Sequence, residues 1–479
     1  PLEGANVIYR NDVSRGDQTD KVGQFKLTVP SGKALFVIRF TGMRTDTLRL
    51  ELAENEVKTV DIYLKPFSIE KGQVTVSVGK FDKPLEEQTV TMVVMKPGMI
   101  ENKNTRSIET ALDQAPGLNI LDGEPQIRGG SGFTFGVGSK VAVIVDDMPM
   151  LSGDAGRPEW GFVPVENISQ IEIIKGAASV LSGSSALSGS IHIRTAYPTS
   201  KPLNKVNVYT GVYSAPSVDG AKWWTGVPLI SGANFLHSKA YNLWDVVIGG
   251  NVNYDHGYIG APKPGPYVVD TISNFSDAQM AMKRARLNFN LRKRSTKITG
   301  LSYGINGNIM ISHTNMSFAW LDDTSGLYRA YPGAIFLQNQ TIFNVDPFVQ
   351  LITETSGNHY LRTRILHNNN EMTANQDNRA TTYYADYMFK RSYPQLNGFD
   401  FIGGVTGSLV NSYANMYVGS GSPYNELLNL SAYTQLEKSI KKVLNISAGA
   451  RMEYFRLNDT VTAMKPIFRC GANLKLYQE

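Results

Sequence analysis

The sequence predicts a mainly β protein with three parts: a small β-sandwich domain, a mixed α/β domain, and a run of long antiparallel strands that belong to a transmembrane β-barrel. Three observations predict it. Short β-prone runs separated by turn residues fill residues 1–66. Helix and buried-strand signals share residues 91–202. From 203 to 479, segments alternate apolar and polar residues over the roughly ten-residue length that a tilted membrane strand needs.

Composition narrows the function classes. The 479 residues are 42% hydrophobic and 19% charged, with a net charge of +5. That balance suits a folded chain, and there is no dense basic block to hold nucleic acid. The most basic stretch, Lys283 to Lys297, alternates with apolar residues and reads as a strand. Cys470 is the only cysteine, which rules out an intrachain disulfide and a cysteine-rich metal site. No apolar run reaches 18 residues, so no transmembrane helix is predicted, and barrel strands remain open. No nucleophile elbow, P-loop or zinc-ligand spacing appears. The six histidines (His192, His237, His256, His313, His359 and His367) are scattered. The reading is therefore a non-enzyme without cofactor, metal or nucleic acid. No signal peptide precedes Pro1; in an exported protein it is expected to have been removed or left out.

In residues 1–66 the candidate strands are Ala5–Arg10, Gly23–Val29, Ala34–Phe40, Thr47–Leu52 and Val57–Leu64. Turn chemistry sits at Ser31-Gly32 and Thr41-Gly42. The core is expected from Val7, Phe25, Leu27, Leu35, Val37, Leu48, Leu50, Ile62 and Leu64. Residues 67–90 read as a linker. Within it Gln73, Val74, Thr75, Val76, Ser77, Val78 and Gly79 form a short β-prone run flanked by charges. It is either one more strand of a neighbouring sheet or a peptide that adds itself to another protein's sheet edge.

In residues 91–202, Thr105 to Ala115 reads as a helix with Asn104 or Thr105 as N-cap and Pro116-Gly117 as its stop. Val141–Val145 is a buried strand ending at Asp146-Asp147, which is read as a capped turn. Ile171–Ile174 is a second strand, and Ser190–Thr195 follows a Gly/Ser-rich stretch. From 203 onward, roughly twelve segments alternate. In Leu444–Tyr454 one face carries Leu444, Ile446, Met452 and Tyr454, and the other Asn445, Ser447, Arg451 and Glu453. In Tyr360–His367, Arg362 and Arg364 face away from Leu361 and Ile365. Soluble sheets alternate too. The length of the segments, their terminal aromatics and the contrast between short turns and long polar loops favour a barrel with interfacial girdles.

The middle domain resembles the plug of TonB-dependent receptors. Five pieces carry the likeness, in the family's order: Ser107–Leu112 with Ala115–Leu118, Gln126–Gly129, Val143–Pro149, Val165–Gly176 and Ser182–Ile193. Ser182 stands where many members have Tyr, and Asp147 replaces the common Gly. The N-terminal domain is similar to the carboxypeptidase-regulatory-like module that precedes such receptors in Bacteroidetes-type bacteria. The resemblance implies a 22-stranded barrel, of which the roughly twelve strands here would be the first. An open half-barrel would leave two edges in lipid, so the chain is expected to be a fragment or to have the remainder in another chain.

The same resemblance implies import of a scarce substrate (siderophore, vitamin, glycan or peptide) across the bacterial outer membrane, with the plug and N-terminal domain towards the periplasm. The expected partners are TonB, outer-membrane lipids and a surface lipoprotein. Gln73–Gly79 would be the TonB-binding strand. Arg128 and Lys175 of the plug are expected to pair with Glu437 and Glu453 of the barrel; otherwise each meets water or a nearer partner. Phe133, Phe135, Asp154, Arg157 and Trp160 are the candidate substrate contacts, set against a purely packing role for the aromatics. The competing reading is a receptor-like scaffold in an outer-membrane complex that does not transport. A soluble adhesin is a third.

Overall fold

The computed structural model describes residues 2–475 except 11, 13–14, 41–42, 44, 65–74, 77–82, 102–106, 130–137, 177–178, 184, 200, 218–221, 223, 225, 258–275, 318, 321–329, 332–333, 354–356, 397 and 442. The chain divides into two compact units, residues 1–74 with 199–201, and residues 75–198 with 202–479.

The first unit is built on a four-stranded antiparallel sheet of β1 (Asn6–Tyr9), β2 (Gly16–Gln18), β3 (Gly32–Arg39) and β4 (Asp46–Leu52), in the order β2-β1-β3-β4. Val7, Tyr9, Ala34, Phe36 and Ile38 form its buried core. Phe25, Leu27, Val29, Leu48, Leu50, Leu52, Ile62 and Leu64 pack against that core. The expected core therefore needs one correction. In β3 the core cluster takes Ala34, Phe36 and Ile38 on one parity; Val37 is also buried, at 8% exposure, on the opposite parity, and Leu35 is only half-buried. The expected strands over 23–29 and 57–64 do not join the ladder, although Phe25, Leu27, Val29, Ile62 and Leu64 pack against the core.

The second unit begins with β5 (Thr75–Val76), which pairs antiparallel with β6 (Lys83–Pro84). A mixed inner domain follows, made of β7 (Thr91–Met95), α1 (Pro97–Glu101), α2 (Ile108–Leu112), β8 (Leu118–Leu121), β9 (Glu124–Ile127), β10 (Val141–Val145), β11 (Met148–Pro149), β12 (Ile168–Lys175), α3 (Ser179–Ser182) and β13 (Gly189–Thr195). Its sheet runs β11-β10-β13-β12-β7, with β10 and β13 parallel. Ile171, Ile173, Ile191 and Ile193 are fully buried against Ile108, Leu112 and Phe162 on one face. The helix is shorter than expected and its N-cap is Ser107, which makes no side-chain cap bond. Asn104 and Thr105 lie outside the described residues.

Around this domain lies a twelve-stranded antiparallel sheet in strict sequence order. Its strands are β14 (Leu203–Val212), β15 (Leu229–Tyr241), β16 (Trp244–Asp255), β17 (Met282–Arg294), β18 (Leu301–Ser317), β19 (Ile335–Leu351), β20 (Asn358–Met372), β21 (Asn378–Tyr393), β22 (Phe399–Ala414), β23 (Tyr424–Ile440), β24 (Leu444–Leu457) and β25 (Val461–Leu474). The inner domain leads into β14 at what is here called the lower rim. That rim carries a tight turn at 242–243, and β23 and β24 are separated there by three residues in sequence, whereas β14 and β15, β16 and β17, and β18 and β19 are separated by the longer stretches 213–228, 256–281 and 318–334. The described residues hold no helix long and apolar enough to cross a membrane.

Burial in this sheet is inverted relative to a soluble protein. On β24, Asn445, Ser447, Arg451 and Glu453 are buried, whereas Ile446 and Met452 are exposed. On β18, Asn306, Asn308 and Met310 face inward, and Ile309 and Ile311 face outward at 47% and 56% exposure. Such an arrangement is stable only if the outward stripes meet something apolar.

Candidate functional site

The contact between the inner domain and the strand wall starts at a hairpin. β10 and β11 pair Ile144 with Pro149 and Val145 with Met148, leaving Asp146 and Asp147 as the turn. Their φ angles are 51° and 67°. A two-residue turn with both φ positive matches strand twist, and aspartate tolerates that region through local hydrogen bonds. Asp146 uses its carboxylate locally: it accepts from the Thr195 backbone N–H at 2.9 Å and from its hydroxyl at 2.7 Å. Asp147 points outward and bridges Arg194 of the inner domain (3.4 Å) to Arg362 of β20 (3.0 Å). Two residues along β20, Arg364 donates to the carbonyls of Pro149 (2.9 Å) and Met148 (3.2 Å). Asp346 on β19 holds its guanidinium at 2.9 and 2.5 Å. One barrel strand thus grips one hairpin with two arginines from the same face.

A second contact lies on β17. Arg286 donates to the carbonyls of Gly161 (2.9 Å) and Val163 (2.5 Å) and pairs with Glu166, which also accepts from Asn288 at 2.5 Å. Asn308 of β18 reaches the Phe162 carbonyl at 2.5 Å. On the far side, Arg451 of β24 donates to the Val180 carbonyl at 3.4 Å and is held by Glu453 at 2.7 Å. Lower down, Thr89 meets Ser447 at 2.7 Å, and Asn473 donates to the Gln88 carbonyl at 2.8 Å. Met310, Ile342 and Leu366 are the wall residues that join the inner domain's main apolar core. Guanidinium–carbonyl bonds are strong in place but can be exchanged for water, so this wall holds the inner domain without fusing to it.

The apex faces the upper rim. The β8–β9 turn is Asp122-Gly123, both at positive φ. Trp160 Nε1 donates to the Gly123 carbonyl at 2.7 Å, and Arg157 pairs with Glu124 at 3.3 Å, which ties this turn to the 152–160 loop. Gly153 sits against the wall: a Cβ there would come within 2.7 Å of Thr382 and 2.8 Å of Val410. Glu159 is half-buried, and its carboxyl is pushed up to about 7 by desolvation, with Asp154 adding to the rise and Gln340 and Arg157 opposing it. Burial likewise raises Glu124 against the pull of Arg157.

A family model for the TonB-dependent receptor plug domain matches residues 84–190, and one for the CarboxypepD_reg-like domain matches residues 1–76. Residues 84–190 thus carry the plug domain of TonB-dependent receptors. A vitamin B12 transporter of Vibrio vulnificus is 24% identical over 185 residues, 38% of this chain and 30% of that protein. A probable TonB-dependent receptor of Bordetella pertussis is 28% identical over 164 residues, 33% of this chain and 21% of that protein. The ferripyoverdine receptor of the Pseudomonas aeruginosa outer membrane superposes with a TM-score of 0.62 at 11% identity, over 85% of this chain and 58% of that one. The siderophore receptor PirA of the same species gives 0.58 at 14% identity, over 79% and 58%. Each match thus spans less than two thirds of the relative's length, and the two superpositions establish the fold alone.

The expected plug–barrel ion pairs are not formed. Arg128 is exposed at the end of β9 with φ 56°. Lys175 lies beside Gly117. Among the described residues neither pairs with a carboxylate. Glu453 is committed to Arg451 on its own strand, and Glu437 accepts from Gln435 at 2.6 Å. The polarity is reversed instead: arginines on the barrel reach carbonyls and carboxylates on the plug. The reason is geometric, since the long guanidinium side chain spans the gap from the wall, and carbonyls abound on the turns it meets. The sequence carried a signal for this, because Arg364 and Arg451 stand on the polar parity of apolar-alternating strands. Of the substrate candidates, Trp160 is buried in the plug core at 5% exposure, so it packs. Asp154 and Arg157 are half-buried on the apical loop. Phe133 and Phe135 lie outside the described residues. So do Gln73, Val74, Ser77, Val78 and Gly79, which leaves only Thr75 and Val76 placed in β5. Glu159 was not singled out from sequence, because its environment comes from Gln340 on a strand far away in the chain.

Proposed function

We propose that the protein imports a scarce substrate across the bacterial outer membrane on energy delivered by TonB, with its plug and N-terminal domain on the periplasmic side. One observation carries the reading: the twelve-stranded sheet turns its apolar stripe outward and its buried polar stripe towards a plug held by hydrogen bonds. A wide lumen needs such a stopper, and a stopper held by exchangeable polar contacts can be moved by force. The relatives named above include a vitamin B12 transporter and siderophore receptors, which supports a small, scarce cargo of that kind. We place substrate contact at the apex around Asp154, Arg157 and Glu159. TonB would pair by backbone with Gln73–Gly79.

Deleting Val74–Val78 tests this in cells, with radiolabelled cyanocobalamin and ferric siderophores as probes. Energised accumulation should disappear while binding of the same probe to de-energised cells persists. Accumulation that survives the deletion would leave the non-transporting scaffold as the better reading.

A further inference from the structure

The outer face of the strand wall is not chemically uniform along its height. At the lower rim, Lys239, Tyr241, Trp244, Lys293 and Tyr303 form one connected outward patch across β15–β18. Tyr241 pairs with Trp244, Trp244 with Lys293, and Lys293 with Tyr303 along the ladder. The Lys239 ammonium sits 4.7 Å from the Tyr241 ring centroid, and the Lys293 ammonium 5.1 Å from that of Trp244. The pattern recurs on β21–β23. Arg391 lies 4.9 Å over Tyr393, Tyr393 and Phe399 are ring neighbours at 6.0 Å, and Phe399 pairs with Lys438. Among the described residues no carboxylate pairs with Lys239, Lys293, Arg391 or Lys438. At the upper rim Arg379 likewise lies 4.9 Å over Tyr413, but there the outward face also carries acids: Glu371 lies beside Asn339 on the ladder, and Glu426 pairs with Arg456 at 3.1 Å.

Trp and Tyr rings anchor at the boundary between hydrocarbon and water, and lysines there extend to the headgroups. A cation laid on such a ring is held at headgroup height with donors still open. We propose that the two lower-rim patches are binding sites for anionic phospholipid headgroups, with phosphate as the recognised group. This rests on the reading that the outward stripes meet hydrocarbon. The partner is chosen by charge complementarity: two unpaired cations per patch, aromatic spacers between them, and no competing acid in contact.

The test is native mass spectrometry of the purified protein released from nanodiscs of phosphatidylglycerol and phosphatidylcholine with matched acyl chains. The wild-type protein should retain phosphatidylglycerol above its bulk share. Lys239→Gln with Lys293→Gln should reduce that enrichment by up to roughly fivefold for each basic side chain. Arg456→Gln removes an upper-rim cation that Glu426 already holds, and should leave the enrichment in place. Equal retention of both lipids by the wild type, or equal loss in both variants, overturns the proposal. A protein that does not enter nanodiscs of either lipid contradicts the membrane reading instead, so the two failures are distinguishable.

Discussion

Strands β4 and β24 alternate in the same way and bury opposite halves of their residues. In β4 the apolar parity, Leu48, Leu50 and Leu52, packs against the core. In β24 the polar parity, Arg451 and Glu453, is inside at 7% and 1% exposure, while Met452 is 40% exposed. Period-2 alternation therefore reports that a strand separates two environments, not which of them is water. What decides is whether the polar side has enough partners. Arg451 has Glu453, Thr406 and a plug carbonyl. Arg286 and Arg364 are equally well supplied. β4 turns its leucines inward instead, with Thr47, Arg49 and Glu51 exposed.

The contrast is sharpened most by removing an inward cation. Arg364→Ala leaves Asp346 and the hairpin carbonyls buried without their donor, and should cost about 3–5 kcal/mol. The expected readout is a lower melting temperature in detergent together with faster proteolysis of the plug near residues 145–149. A variant that melts and resists proteolysis like the wild type would break the anchoring role given to β20.

Next in size is a charge on the outward stripe. Ile309→Arg should destabilise the membrane-embedded protein by about 2–4 kcal/mol, as expected for a lipid-facing position near mid-depth. The same residue type placed at exposed Thr47 of β4 should change stability by less than about 0.5 kcal/mol. Denaturant titration from lipid vesicles checks both, and comparable costs at the two positions would erase the distinction between the strands.

A smaller effect concerns pH. The Glu159 carboxyl titrates near 7 when folded, against an ordinary carboxylate value of 4.5. The folded state thus holds the proton more tightly, and its contribution to stability is present below pH 4.5 and lost as pH rises through 7. Glu159→Gln should flatten the stability profile between pH 5 and 8 by on the order of 1–3 kcal/mol. An unchanged slope would mean that the carboxyl is not desolvated at the apex. Smallest of all, Trp160→Phe removes the bond to Gly123 and should cost about 1 kcal/mol. If Trp160 only packs, probe affinity stays within twofold, and a large loss of binding would return it to the substrate site.

Much of this was legible in the sequence, for identifiable reasons. The long strands announce themselves because alternation is local, as in Leu444–Tyr454. The parity of β3 was not legible, since Ala34-Leu35-Phe36-Val37-Ile38 is apolar throughout and its register is set by partners in β1 and β4. The plug's strands and its Asp146-Asp147 turn could be placed from composition. Which charges meet across the plug–barrel boundary could not, because Asp147 finds Arg362 only after both domains have folded. The apex was half legible: Asp154 and Arg157 stand out as charges in a loop, but Gln340, the hydrogen-bond partner of Glu159, comes from a barrel strand far away in the chain.

The account stands on the outward stripes lying in hydrocarbon. Nitroxide labels at positions 309, 430 and 452, on a Cys470→Ser background in lipid vesicles, test this directly. Collision with oxygen should be frequent and collision with a water-soluble nickel chelate rare at all three, with the reverse at position 47. Nickel access at 309, 430 and 452 equal to that at 47 would place those side chains in water and contradict the account.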